Sequence, residues 1–77
     1  MDEQMYVLVE STYYLRKHPQ IRYGVALVER DDPMDVIIQT ICDVSTDRRL
    51  VEKIVVLCNK ARPTKEKFKE LVARCIG

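Results

Sequence analysis

Apolar and polar residues alternate from Met5 to Arg16. Met5, Val7, Val9, Tyr13 and Leu15 fall on one side, and Tyr6, Leu8, Glu10, Thr12, Tyr14 and Arg16 on the other. Period two with β-branched and aromatic residues predicts a strand, long enough to bend or carry a bulge near Ser11. The alternation resumes with Ile21, Tyr23, Val25 and Leu27 against Arg22, Gly24, Ala26 and Arg30. Opposed residues of an antiparallel pair share a face, so joining the two odd-numbered apolar sets requires an odd loop. A three-residue turn at Lys17-His18-Pro19 meets this. It pairs Leu15 with Ile21, Tyr13 with Tyr23 and Val9 with Leu27, and makes Tyr13 and Tyr23 core. Tyr6, Leu8, Tyr14, Ile37 and Ile41 are left for the second sheet face.

Asp31-Asp32-Pro33 predicts another turn, with proline pre-set for it. A third strand is expected over Val36–Val44, with Val36, Ile38, Cys42 and Val44 on one side and Ile37 and Ile41 on the other. The period then changes. Ser45-Thr46-Asp47 is a helix start: hydroxyls to accept the unpaired amide protons, then an acid in the first turn. Leu50, Val51, Ile54, Val55, Leu57, Cys58 and Ala61 recur at spacings of three and four. With Val56 this helix is apolar over more than half its circumference, so it is either central or shared between subunits. Arg62-Pro63-Thr64 ends it. A second helix follows, with a narrower stripe of Phe68, Leu71, Val72, Cys75 and Ile76. The expected class is α+β: a three-stranded antiparallel meander followed by a two-helix hairpin packed on one face, β-β-β-α-α, as a single domain over residues 1–77.

Length adds a constraint. Seventy-seven residues bury only roughly 60% of their unfolded surface, so a disulfide, a metal or self-association usually supplements such a core. The three cysteines, Cys42, Cys58 and Cys75, include no C-x-x-C pair, which argues against a disulfide framework or a zinc ribbon and for reduced, mostly buried thiols. Self-association remains. The first ten residues carry no basic region or small-residue cleavage site, and the longest apolar run is Ile54–Cys58, so a soluble, cytoplasmic chain with no membrane partner is expected.

The net charge of +1 hides a division: residues 1–47 carry −5 and residues 48–77 carry +6. Arg48, Arg49, Lys53, Lys60, Arg62, Lys65, Lys67, Lys69 and Arg74 make the basic half, interrupted by Glu52, Glu66 and Glu70. It suits a solvated face, nucleic acid or an acidic protein partner, the acidic half of a second copy being one such partner. No RNA-binding aromatic motif, G-x-x-G clamp or recognition helix with a turn glycine accompanies it.

Little else suggests chemistry. His18, with Tyr13, Tyr14, Arg16, Arg22 and Tyr23, is the richest polar cluster, but a hairpin tip lacks the shelter that acid–base catalysis needs. Asp31, Asp32, Asp35 and Asp43 lack the ligand alternation and turn glycine of a calcium loop. Gly24 and Gly77 are the only glycines, which excludes a glycine-rich phosphate loop. Cys58 and Cys75, on apolar helix faces, read as core thiols. No catalytic, metal-binding or cofactor-binding residue is expected, and no cofactor.

Tyr13-Tyr14-Leu15, then Tyr23-Gly24-Val25, then Asp43-Val44-Ser45-Thr46-Asp47 resemble, in order and spacing, a small clostridial Firmicutes family of unknown function. That family shows a YYL strand, a YG[IV] strand and a D-[IV]-S helix start. An asparagine near the end of the first helix, here Asn59, precedes a second helix begun by proline, here Pro63. The resemblance covers roughly residues 12–76. Where the family tends to acidic residues late in the second helix, this chain has Leu71-Val72-Ala73-Arg74-Cys75. The resemblance implies domain limits and no activity. The expected function is therefore a non-catalytic interaction or regulatory module, self-associating as a dimer, with helix one supplying much of the interface. Weak nucleic-acid binding through the basic half is the alternative. The candidate surface residues are Tyr14, Val51, Val55, Arg62, Lys65 and Lys69.

Overall fold

The structure, a computed structural model, describes residues 3–31 and 34–76. Five elements follow in order: β1 (Glu3–Leu15), β2 (His18–Asp31), β3 (Met34–Ser45), α1 (Arg48–Ala61) and α2 (Lys65–Ile76). The strands form one antiparallel sheet in the order β1-β2-β3, and the buried side chains of both helices join one core with those of the sheet. The class is α+β, in the element order that the sequence pattern predicts. Of the expected second turn, Asp31 ends β2, and Asp32 and Pro33 lie outside the described residues.

The first hairpin differs from expectation. Its turn is Arg16-Lys17 alone, with both residues left-handed at φ 50° and 68°. Two residues of positive φ make the primed turn, whose twist matches that of the flanking strands. Leu15 therefore pairs with His18, Tyr13 with Gln20, Val9 with Gly24 and Tyr6 with Leu27. The expected Lys17-His18-Pro19 loop and the Tyr13–Tyr23 pair do not form, because an even loop exchanges the faces. Tyr6 and Leu8 now share a face with Tyr23, Val25 and Leu27, and that face meets the helices. The Met5, Val7 and Val9 set looks outward. Tyr13 is 45% exposed rather than core, whereas Tyr23 does pack, half-buried, against the core. Pairing runs unbroken from Glu3 to Leu15, so no bulge occurs near Ser11.

The irregularities lie in β3 instead. Its register against β2 shifts between Tyr23 and Val25 and again between Leu27 and Val28. At the first shift Cys42, Asp43 and Val44 pass opposite Gly24 alone, and Asp43 is left-handed at φ 60°. The bulged backbone comes so close that a Cβ on Gly24 would collide with the Ile41 carbonyl oxygen and lie 3.0 Å from the Cys42 Cα. Glycine is there because β3 lies against it. The bulges also reassign the faces of β3: Val44 is buried and Ile38 and Ile41 pack on the core, while Val36 and Cys42 are exposed.

α1 starts where the sequence places it, but its cap is the carboxylate of Asp47, expected inside the first turn, and not a hydroxyl. Asp47 is the N-cap of α1 and accepts from the Arg49 amide at 3.0 Å, while Ser45 Oγ accepts from the Asp47 amide at 3.0 Å. Arg62 closes α1 in the left-handed conformation, its amide donating to the Cys58 carbonyl at 2.8 Å. Thr64 starts α2, receiving the Phe68 amide on its carbonyl at 2.9 Å. Val51, Ile54 and Cys58 of α1 and Phe68 and Val72 of α2 are buried against Tyr6, Val25, Leu27 and Val44. The Tyr6 and Phe68 rings meet edge to face with centroids 4.9 Å apart, a contact worth about 0.5–1.5 kcal/mol beyond the area it buries.

Candidate interaction surface

β3 pairs with β2 only from Tyr23 onward, so β1 and β2 continue past it as a two-stranded arm. Every residue from Thr12 to Ile21 is exposed. Tyr14 at 75%, Leu15 at 62% and Ile21 at 47% join Tyr13 in presenting large apolar side chains to solvent. A two-stranded ribbon is marginal by itself, and such side chains gain from a partner. Pro19 is tolerated in this strand because its nitrogen lies on the side facing β3, and β3 does not reach that far. Arg22, at the base of the arm, pairs its guanidinium with the Asp43 carboxylate of the bulge.

β1 is an edge strand, and its edge is treated differently at its two ends. Near the start, the Tyr6 amide donates to Asn59 Oδ1 at 2.8 Å, and Asn59 Nδ2 donates to the Tyr6 carbonyl at 2.9 Å. The side chain thus acts as one residue of an adjoining strand, using both halves of its amide. Arg62 Nη2 donates to the Gln4 carbonyl at 3.0 Å, and the Tyr6 hydroxyl donates to the Pro63 carbonyl at 2.8 Å. The end of α1 and the connection to α2 therefore seal the edge at Gln4 and Tyr6. Since Tyr6 directs its amide and carbonyl away from β2, the other even-numbered residues of this regular strand do the same. Leu8, Glu10, Thr12 and Tyr14 form an open edge beyond the seal.

The predicted surface residues are scattered. Tyr14 lies on the arm. Val51 is fully buried, so it is core and not surface, and Val55 is half-buried against that core. Arg62 sits at the sealed edge, about 33 Å along β1 from Tyr14 at the usual strand rise. Lys65 and Lys69 are exposed on α2. The large apolar residues that α1 leaves exposed are Val56 and Leu57; Val56 lies in a shallow depression with Arg49, Glu52 and Lys53. His18 is exposed opposite Leu15. Among the described residues no three His, Cys, Asp or Glu side chains gather as a metal site would require.

Two protonation equilibria are displaced. Burial pushes the Tyr6 hydroxyl above its ordinary value, aided by Cys58 and opposed by Arg62. Burial, then Cys75, raises the Cys58 thiol, the direction of an inert core cysteine rather than a nucleophile. Residues that sequence reasoning leaves without a role prove decisive here. Asn59 falls eight positions after Val51 on the buried side of α1, and a polar residue on that stripe is the one local sign of its task. Arg16 carries no such sign, being neither glycine nor asparagine, and Lys17, expected to open a three-residue loop, instead ends a two-residue one.

No family model, curated protein or solved structure matches the chain. Among the described residues no helix is long and apolar enough to cross a membrane.

Proposed function

We propose that the chain is a non-catalytic interaction module that self-associates, and that the β1–β2 arm with its open edge is the contact surface. The observation that carries this is the arm itself: it extends past β3 with Tyr13, Tyr14, Leu15 and Ile21 all substantially exposed. A core this small leaves stability to be gained from a partner. The interface thereby moves from α1, where the sequence suggests it, to the sheet. Sedimentation velocity across a concentration range tests the proposal. Concentration-dependent dimer is expected, with Tyr14→Ser and Leu15→Ser together shifting the protein to monomer; a monomer at every concentration overturns it.

Weak nucleic-acid binding is the second reading, favoured by one observation: all nine basic residues from Arg48 to Arg74 are exposed. A fluorescence-anisotropy titration against random DNA and RNA at low salt is its most permissive test, since phosphate contacts weaken as salt rises. No change in anisotropy there removes it.

A further inference from the structure

We propose that two copies of the chain join antiparallel through β1, edge to edge, about a two-fold axis at Ser11. This rests on the self-association proposed above and names the surface and register that produce it.

The open edge is bounded on both sides. Asn59 holds the outward groups of Tyr6 and Arg62 holds the Gln4 carbonyl, while at the other end the chain leaves the strand at left-handed Arg16. Between these stops the outward-directed residues are Leu8, Glu10, Thr12 and Tyr14. A two-fold axis perpendicular to a sheet pairs residues on the same face, so each residue meets one of its own parity. The midpoint of the open stretch is Ser11. Centred there, Leu8 lies opposite Tyr14 of the second copy and Glu10 opposite Thr12, and every outward amide and carbonyl of the stretch finds a mate. On the face away from the helices, Val7 meets Leu15, Val9 meets Tyr13 and Ser11 meets its own copy. Tyr13, Tyr14 and Leu15, all strongly exposed, each gain an apolar neighbour.

Neighbouring registers fail. A shift toward the N-terminus sets Glu10 directly against Glu10 and requires the Tyr6 groups that Asn59 already occupies. A shift the other way puts Tyr13 on Ser11 and Tyr14 on Glu10, and runs Leu8 against Arg16 in the turn. The outer edge of β3 is no substitute, because two register breaks and left-handed Asp43 twist it out of line. The product is a continuous sheet with a self-complementary interface formed by strand addition. One repulsion remains: Glu10 and its copy are diagonal neighbours about 7–8 Å apart. Salt screens this, so the dimer tightens as salt rises, opposite to phosphate binding.

Disulfide trapping tests the register. Ser11 and its copy form a pair without mutual hydrogen bonds, with Cα atoms about 4.5 Å apart, inside the range a disulfide spans. In a Cys42→Ser background, which removes the exposed native thiol, Ser11→Cys is expected to cross-link to dimer under mild oxidation. Thr12→Cys in the same background is expected to stay monomeric on a denaturing gel, because it faces Glu10 of the second copy. Thr12→Pro removes an outward amide without touching the β1–β2 ladder, and should weaken dimerisation at least tenfold with an unchanged circular-dichroism spectrum. Cross-linking of Ser11→Cys no greater than that of Thr12→Cys, in a protein that sedimentation shows to dimerise, overturns the β1 register and leaves self-association standing. A wild-type monomer overturns both. Should Thr12→Pro fail to fold, the cysteine comparison decides alone.

Discussion

Asn59→Ala should destabilise the domain by about 1.5 kcal/mol, although it replaces a residue on a helix with the best helix former. The substitution strips Tyr6 of the partner for its amide and of the partner for its carbonyl, at 2.8 and 2.9 Å. Each hydrogen bond contributes about 1 kcal/mol net, and the pair about 2. Alanine returns about 0.6 kcal/mol of helix propensity, which leaves about 1.5. A chain of this length is stable by about 4–12 kcal/mol, so the loss is a sizeable fraction, equivalent to about 6–12 °C in Tm. Urea unfolding followed by circular dichroism measures it, with Lys60→Ala, exposed on the next position, as the control expected to change within about 0.5 kcal/mol. Asn59→Asp separates the two bonds. Its carboxylate can still accept from the Tyr6 amide but repels the Tyr6 carbonyl, whereas the protonated acid can donate to that carbonyl. The folded-state carboxyl is therefore held above its unfolded value, so its contribution is present in acid and lost as pH rises. A change below about 0.5 kcal/mol for Asn59→Ala, or no recovery of Asn59→Asp in acid relative to Asn59→Ala, refutes the edge-sealing role.

Arg16→Asn with Lys17→Gly should stabilise the hairpin by about 1–2 kcal/mol, because both positions are left-handed and the native residues resist that conformation; a loss in the same unfolding assay would show the turn to be otherwise. Gly24→Ala should destabilise by about 3 kcal/mol, since the new methyl meets backbone of β3 and not a side chain that can swing aside. Stability should fall as pH rises past 9.0 and again past 10.0, the ordinary cysteine and tyrosine values, because the folded state holds the Cys58 and Tyr6 protons more tightly than the unfolded chain does. Tyr6→Phe should remove the tyrosine part of that alkaline limb, leaving the Cys58 part, while removing the bond to the Pro63 carbonyl. A thiol reagent should label exposed Cys42 in the native protein and buried Cys58 only at the rate of unfolding, as read by mass spectrometry.

These predictions fall mostly on residues that local pattern treats as neutral. Arg16 looks like the end of a strand and Lys17 like the first residue of a loop whose stronger turn chemistry is His18-Pro19; the chain turns one step earlier because an even loop brings Tyr6 and Leu8 onto the face where Val25 and Leu27 meet the helices. Burial of one face, summed over both strands, outweighs the cost of two left-handed residues. Asn59 is similar. Its donor and acceptor have meaning only once the β1 edge lies beside it, 53 positions away in the chain.

The sequence by itself determines the element order and both helices. Period two and period 3.6 are local, and Asp47 and Pro63 act on adjacent backbone. It also determines the core residues of α2, whose buried Phe68 and Val72 lie on its one narrow apolar stripe, but not those of α1, which is apolar over more than half its circumference and whose Val51, expected at the surface, is core. A strand has two faces, and in β1 both are apolar, so alternation cannot tell which one meets the helices. Only the tertiary structure decides that. The same holds for the β3 bulges, the need for Gly24, and the division of the β1 edge into a sealed and an open part. Each depends on two segments distant in the chain arriving at one place, where backbone contact rather than side-chain type sets the outcome.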